Sequence, residues 1–370
     1  MLYTKLAVNI DATCNFEDRR ISITFSMAAQ PIVSIAFKQE PGQLQKEITI
    51  LAADIGGTKT NVALYRADGT GLNSLQQKRY VSKDHASLSD IIHDFTGGKV
   101  PDRISAAVAG PVVNGKSKLT NLPWQLDSGV MSREMKVPVC FINDLEATAY
   151  GLAGLGKEEL ATLATGDANA KGNIAILAPG TGLGEAGLYW DGQRYHPFAT
   201  EGGHSDFAPR TPIDVELFYF LQKQFGHVSW ERVVSGMGIK NIFRFLTEGR
   251  NEPIPEWLSQ KLKEEDPAAV ISQAALKHED LICAETMELF VRFLATESSS
   301  LVLKLMATGG LFLAGGIPPK ILPLLQTDSW GKNFDNNGRM HDLSDRVPVH
   351  VVLNDKMALQ GAAYYGAYNM

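Results

Sequence analysis

Twice in this chain an apolar strand runs into a turn of glycine and threonine and leaves as a second apolar strand. Ile48 to Ala53 enters Asp54-Ile55-Gly56-Gly57-Thr58-Lys59-Thr60-Asn61 and continues as Val62 to Tyr65. Asn173 to Leu177 enters Ala178-Pro179-Gly180-Thr181-Gly182-Leu183-Gly184 and continues as Glu185 to Trp190. Buried runs flanking a glycine reversal predict a β-hairpin. Two such units in separate halves of the chain predict an internal duplication. Neither turn is GxGxxG or GxxxxGK[ST], so the dinucleotide-binding and P-loop fingerprints do not apply.

The remaining pattern alternates strands with helices, which places the chain in the α/β class. Ile104 to Val108, Val137 to Ile142 and Pro348 to Leu353 read as further strands, and Arg66 to Thr70 as a turn. Helices are expected from Ser87 to Phe95 with Ser87 as N-cap, from Leu145 to Leu155, over 213–225 and 231–248, from Ala268 to Thr308, and from Lys356 to Asn369. A polar loop, Gly166 to Gly172, suggests a domain boundary near 155–172. Residues 1–46 read as an N-terminal arm. Ile21 to Phe25 and Ile32 to Phe37 alternate like strands added to a sheet edge, a flexible arm is the other reading, and Met27 is an alternative start.

Composition narrows the function. The formal charge of −6 over 370 residues, with no basic block, argues against a nucleic-acid or anionic-membrane partner. Three dispersed cysteines, Cys14, Cys140 and Cys283, make no CxxC pair, so neither a zinc site nor a disulfide framework is expected and a reducing compartment fits. The most membrane-like run, Leu301 to Ile317, is only 17 residues long and contains Lys304 and four glycines. It reads as a buried helix, a glycine turn and a buried strand.

Five groups of residues carry candidate chemistry, and each has a plainer reading. In the first turn, a glycine pair with successive N–H groups forms an anion nest, Asp54 suits a hydrated magnesium ion and Thr58 suits a phosphate; otherwise it is a hairpin turn with an exposed Asp. The second turn, with Thr181, either clasps the other side of a polyphosphate or is a common glycine turn. Asn143-Asp144 stands where a strand ends and a helix begins. There a carboxylate is either an N-cap or a general base kept ionised by the helix N-terminus. Glu201-Gly202-Gly203-His204 offers acceptors and an imidazole suited to a polyol, and is thin as a metal signal. Glu231 either joins that set or favours a helix start capped by Ser229. Late glycine turns at Gly236 and at Gly315-Gly316 are structural or form a flat slot for an adenine ring.

Taken in order, DIGGTKTN, AGPV, TNLPW, INDLEA, PGTGLG, EGGHSDFAP, HVSWERVVSG and LAGGI resemble the bacterial-type glucokinase family of the hexokinase/actin-like ATPase superfamily, over about residues 48 to 370. The resemblance implies two RNase-H-like α/β lobes around a deep cleft, with residues 47–155 and 355–370 in a small lobe and 156–354 in a large one. It implies ATP- and Mg²⁺-dependent phosphorylation of the glucose 6-hydroxyl in the cytoplasm, by a homodimer. By position Asp144 matches the catalytic base, and Asn143, Glu201, His204 and Glu231 match the sugar-binding residues, with Asn121 on a sugar-side loop. Asp54, Ile55, Gly56, Gly57 and Thr58, with Thr181 and Gly182, match the phosphate-binding loops. Gly236, Gly315 and Gly316 match the adenosine-side turns.

The sibling repressor/kinase family carries a cysteine-rich zinc motif that is absent here, since no cysteine lies between Cys140 and Cys283. A sugar sensor that binds DNA would need a DNA-binding module, and the acidic chain with no helix-turn-helix signal before residue 48 argues against one. An actin-like filament ATPase has no use for EGGH. A kinase for another hexose is left open by the sequence.

Overall fold

A computed structural model describes residues 31–68, 71–119, 122–167 and 169–370. Thirteen strands are found among them: β1 (Ile48–Ile55), β2 (Lys59–Asp68), β3 (Gly71–Val81), β4 (Arg103–Val108), β5 (Lys116–Lys118), β6 (Gln125–Asp127), β7 (Val139–Asn143), β8 (Leu160–Ala164), β9 (Ile174–Pro179), β10 (Leu183–Trp190), β11 (Tyr195–Thr200), β12 (Gly310–Leu313) and β13 (Val349–Val352). Apart from the small β5–β6 hairpin they form two sheets, ordered β3-β2-β1-β4-β7 and β11-β10-β9-β12-β13-β8.

The duplication visible in the two hairpins extends to whole sheets. In each, three antiparallel strands (β1–β3, then β9–β11) are followed by two parallel ones, β4 and β7 in the first sheet and β12 and β13 in the second. The parallel strands are near-continuous apolar runs because both of their faces are covered. Strand β3 was not expected from the sequence, which shows no apolar alternation over Leu72 to Arg79. It is an edge strand, and its exposed polar residues suit a row that pairs on one side only.

Several helices end where side chains dictate. Ser87 Oγ accepts the Asp90 N–H at 3.1 Å, so the helix Leu88–Thr96 starts as expected. The stretch expected as one helix over 231–248 begins only at Gly236, where Ser235 Oγ accepts the Gly238 N–H at 3.0 Å. Trp230–Arg232 is a separate 3-10 turn, and Ser229 makes no capping bond. The long stretch from Ala268 splits into Pro267–Leu276 and Leu281–Leu305. His278 takes a left-handed φ of 56° between them, and Asp280 Oδ1 caps the second helix through the Cys283 N–H at 2.8 Å. No helix among the described residues is long and apolar enough to cross a membrane.

Three large apolar clusters organise the core. One lies on the first sheet beneath Leu88, Ile91, Ile92 and Phe95. A second joins the second sheet to the long helix through Phe290, Phe293 and Leu294. The third takes residues from both sheets, among them Ala52, Ala63, Ile176, Leu188 and Phe312. The C-terminal helix Met357–Tyr368 closes on the helix Asp144–Gly151, and a Cβ at Gly361 would collide with the Ala147 carbonyl. Ile35 forms a single bridge to Tyr195, and the Gln39 N–H donates to the Tyr368 carbonyl at 3.0 Å. The segment around Ile32 to Phe37 therefore lies on the edge of β11 without becoming a strand. Ile21 to Phe25 and Met27 lie outside the described residues.

Candidate active site

Asp54, the penultimate residue of β1, stands directly opposite Asn61 on β2. Asn61 Nδ2 donates to Asp54 Oδ2 at 3.2 Å, and Arg79 Nε donates to Asn61 Oδ1 at 2.9 Å. Burial pushes the Asp54 carboxyl up from its ordinary range, while Asn61 and Arg79 pull it down. The Gly56-Gly57-Thr58 turn is braced from outside the hairpin. Ser82 Oγ donates to the Gly56 carbonyl at 3.1 Å and pairs with Thr60 Oγ1 at 3.0 Å, while the Ser82 N–H donates to the Thr58 carbonyl at 3.0 Å. Thr58 is left exposed at the tip. Ile55 contributes a fully buried side chain to the core, so only its backbone is available to a ligand.

The junction of β7 with the helix Asp144–Gly151 divides its work between two residues. Asn143 is the N-cap: its Oδ1 accepts the Leu145 N–H at 2.9 Å and the Glu146 N–H at 3.2 Å, and its Nδ2 donates to the Gly110 carbonyl at 3.2 Å. Asp144 is thereby released from capping; its carboxylate accepts the Leu145 N–H at 3.0 Å, and its own backbone N–H also acts on it. Its carboxyl is pushed up to about 7, first by burial, then by the charge of Asp54, with a smaller push from Glu201 and an opposing pull from Leu145 N–H. Three carboxylates from distant parts of the chain, at positions 54, 144 and 201, therefore act on one space.

The Glu201-Gly202-Gly203-His204 turn follows β11 and packs across β10. A Cβ at Gly203 would strike the Leu183 carbonyl, and one at Gly202 would strike Glu185 Oε2. Glycine is required at Gly203, where the neighbour is backbone, while at Gly202 an added Cβ would have to displace the Glu185 carboxyl. The side chains of Glu201 and His204 are 57% and 61% exposed, and Glu201 Oε2 stands 4.0 Å from His204 Nε2. The turn is zipped to the segment carrying Glu231, because the Trp230 N–H donates to the Ser205 carbonyl at 3.0 Å and the Phe207 N–H to the Val228 carbonyl at 2.9 Å.

Glu231 does not serve a helix start. Its Oε2 accepts the Leu183 N–H at 3.0 Å and fills the space where a Gly182 side chain would lie. The late glycine turns converge on the same place. The Gly236 N–H donates to the Gly180 carbonyl at 2.8 Å, and the Ile317 N–H to the Pro179 carbonyl at 3.2 Å. Gly315, at φ 80°, passes close over the Pro179 carbonyl, and Gly316 faces open space. Thr181 is exposed at the tip of the turn these residues surround. At Gly184 the missing side chain admits Leu145, which joins the second turn to the Asp144 helix. Asn121 lies outside the described residues.

Sequence reasoning missed the Asn61–Arg79 chain, Ser82 and Glu185. Asn61 had a signal, since it sits within DIGGTKTN at the hairpin position facing Asp54. Ser82 had none, because β3 itself was not foreseen.

Known proteins match this arrangement. The glucokinase family model covers residues 51–369. A glucokinase from Nostoc punctiforme is 40% identical over 336 residues, covering 86% of this chain and 98% of that one. The crystal structure of a glucokinase from an Antarctic psychrotroph is 31% identical with a TM-score of 0.74, covering 86% of this chain and 98% of its own. A glucokinase from Balamuthia mandrillaris, solved in complex with glucose, shares the fold at 23% identity and a TM-score of 0.72, covering 88% and 95%. With a family model spanning most of its length and relatives this similar, the chain belongs to the glucokinase family of sugar kinases.

Proposed function

We propose that this enzyme transfers the terminal phosphoryl group of ATP to the 6-hydroxyl of D-glucose, giving glucose 6-phosphate and ADP, with Asp144 as general base. The observation that carries the reading is the division of labour at the β7–helix junction: Asn143 caps, and Asp144 is left as a carboxylate of raised pKa beside Asp54 and Glu201. A base whose pKa lies near the working pH takes a proton more effectively than an ordinary carboxylate.

The reaction space lies between the two sheets, in a cleft between RNase-H-like lobes. Residues 47–155 with 355–370 form the smaller lobe and 156–354 the larger. The confinement of each sheet's strands to one of these spans supports the division, as does the packing of the C-terminal helix on the Asp144 helix. Glucose would be held by Asn143, Asp144, Glu201, His204 and Glu231, with Asn121 on a neighbouring loop. Asn143 can donate through its second Nδ2 hydrogen, since the other goes to Gly110. Glu201 and His204 present exposed acceptors and donors suited to sugar hydroxyls. A misplaced hydroxyl in an epimer leaves a polar group unpaired, which is the basis of selection.

The turn of Asp54 to Thr58 and the turn at Thr181-Gly182 would hold the phosphates from opposite sides, while Gly236, Gly315 and Gly316 give the adenosine a backbone wall. A magnesium ion fits Asp54, a buried carboxylate whose charge already disfavours ionisation of Asp144 and which a cation would offset. Among the described residues no cluster of three or more His, Cys, Asp or Glu is spaced to hold a metal, so the ion would arrive with ATP. Held there, the ion would supply neutralisation of the phosphate charge. Asp144 then has one task, to accept the 6-hydroxyl proton as the new bond forms.

The test is coupled ADP release with MgATP and a panel of hexoses, with the product identified by phosphorus NMR. Turnover on glucose yielding the 6-phosphate supports the proposal. Comparable turnover on several hexoses widens the substrate class. Glucose binding without turnover moves the protein to a sensor.

A further inference from the structure

Beneath the Glu201–His204 turn lies a pair of acids that the proposed mechanism does not use. Glu185 on β10 is 1% exposed, and Glu297 on the helix Leu281–Leu305 is 0% exposed. The two carboxyls act on each other, the charge of Glu297 raising Glu185. Lys304, seven residues along the same helix, donates to Glu297 Oε1 at 3.0 Å. Arg210, from the segment before the helix Pro212–Phe225, also acts on Glu297 through its charge. Glu185 Oε1 and Glu297 Oε2 have no partner. Two buried carboxylates in contact repel too strongly for both to ionise, so one proton is retained between them. Lys304 sits on Glu297, which places the proton on Glu185.

Glu185 is also the floor of the turn. Its Oε2 occupies the space a Gly202 side chain would take. Its carbonyl accepts from Thr200 Oγ1 at 3.1 Å, and that hydroxyl accepts the Gly202 N–H at 3.2 Å. Gly202 is flanked by Glu201 and leads to His204. A second negative charge at Glu185 would therefore act directly on the backbone that presents both residues.

We propose that Glu185 is a positioning residue for the sugar: by sharing a proton with Glu297 it holds the Glu201–His204 turn in place, and losing that proton displaces the turn. This rests on the sugar-kinase reading above and deepens it. Burial, then the charge of Glu297, pushes the Glu185 carboxyl well above the ordinary carboxylate range, so the displacement is sought on the alkaline side of neutrality.

The experiment measures KM for glucose and kcat from about pH 7 to about pH 9.5, in the wild type, Glu185→Gln and Glu297→Gln. In the wild type KM should rise about tenfold across that range, because only the protonated pair holds the turn, while kcat moves far less. Glu185→Gln supplies a permanent N–H to Glu297 in the same shape, and its KM should stay flat with pH. Glu297→Gln removes the charge that raises Glu185 but not its burial, so the rise in KM should move to lower pH, and this covers the case in which Glu185→Gln does not fold. A wild-type KM that does not rise, or a variant profile that superimposes on a rising wild-type one, overturns the proposal while glucose turnover stands. Absence of glucose binding and turnover in the wild type overturns the sugar-kinase reading, and this one with it.

Discussion

Replacing Asp144 with asparagine should make the protein more stable at the same time as it removes activity. The carboxyl is held at about 7 against an ordinary value of 3.8, through burial first and then the charge of Asp54. The folded chain thus keeps a proton that the unfolded chain releases, and stability falls as pH rises from about 4 through about 7. At about pH 8 Asp144 is ionised in both states and the full penalty applies. A displacement of about three pH units corresponds to at most ~4 kcal/mol, and solvent screening at this partly exposed side chain reduces it to about 1–2 kcal/mol. Asparagine keeps the shape and the acceptor for the Leu145 N–H, and it does not disturb the Asn143 cap. Thermal melts should therefore place Asp144→Asn above wild type by about 2 °C or more at about pH 8. The gain should shrink toward zero near pH ~4.5, where the folded wild type is protonated. Equal melting temperatures at the higher pH, or a gain of the same size at both, would refute the electrostatic account of this site.

Other perturbations test separate parts of the arrangement. Asn143→Ala removes the cap and the Gly110 link together and should cost about 1–2 kcal/mol in a denaturant titration; an unchanged midpoint contradicts the capping role. Gly182→Ala drives Glu231 Oε2 off the Leu183 N–H and should raise KM for ATP with little loss of fold, as read by circular dichroism. Ser82→Ala removes the brace on the Gly56 carbonyl and should weaken ATP binding, by calorimetry, about fivefold, the equivalent of one net hydrogen bond. Glu201→Gln should relax discrimination among hexoses, read as the ratio of kcat/KM between glucose and its epimers, and an unchanged ratio removes Glu201 from selection.

What the sequence made legible follows from local rules. The two hairpins were readable because each strand of the pair is apolar and each turn is marked by glycine. The Ser87 cap and the polar pair at the end of β7 were readable because capping residue types announce helix starts. Strand β3 was not, since an edge strand with one solvated side carries little apolar signal. The break at His278 was hidden for a related reason: a left-handed residue other than glycine leaves no mark in composition. At Asn143-Asp144 residue type alone could not say which side chain caps, and the structure answers through the Gly110 carbonyl, 33 residues upstream. The convergence of positions 54, 144 and 201 is a property of sheet order. In the sequence Glu185 is one polar residue in a strand, and only its burial distinguishes it.

The account stands or falls on Asp144. The most direct measurement is kcat for glucose with saturating MgATP in wild type and Asp144→Asn, alongside glucose affinity in each. The account predicts a loss in kcat of about a hundredfold or more, with the variant folded and still binding glucose. A variant that turns over at near the wild-type rate would contradict it and remove Asp144 from the base role.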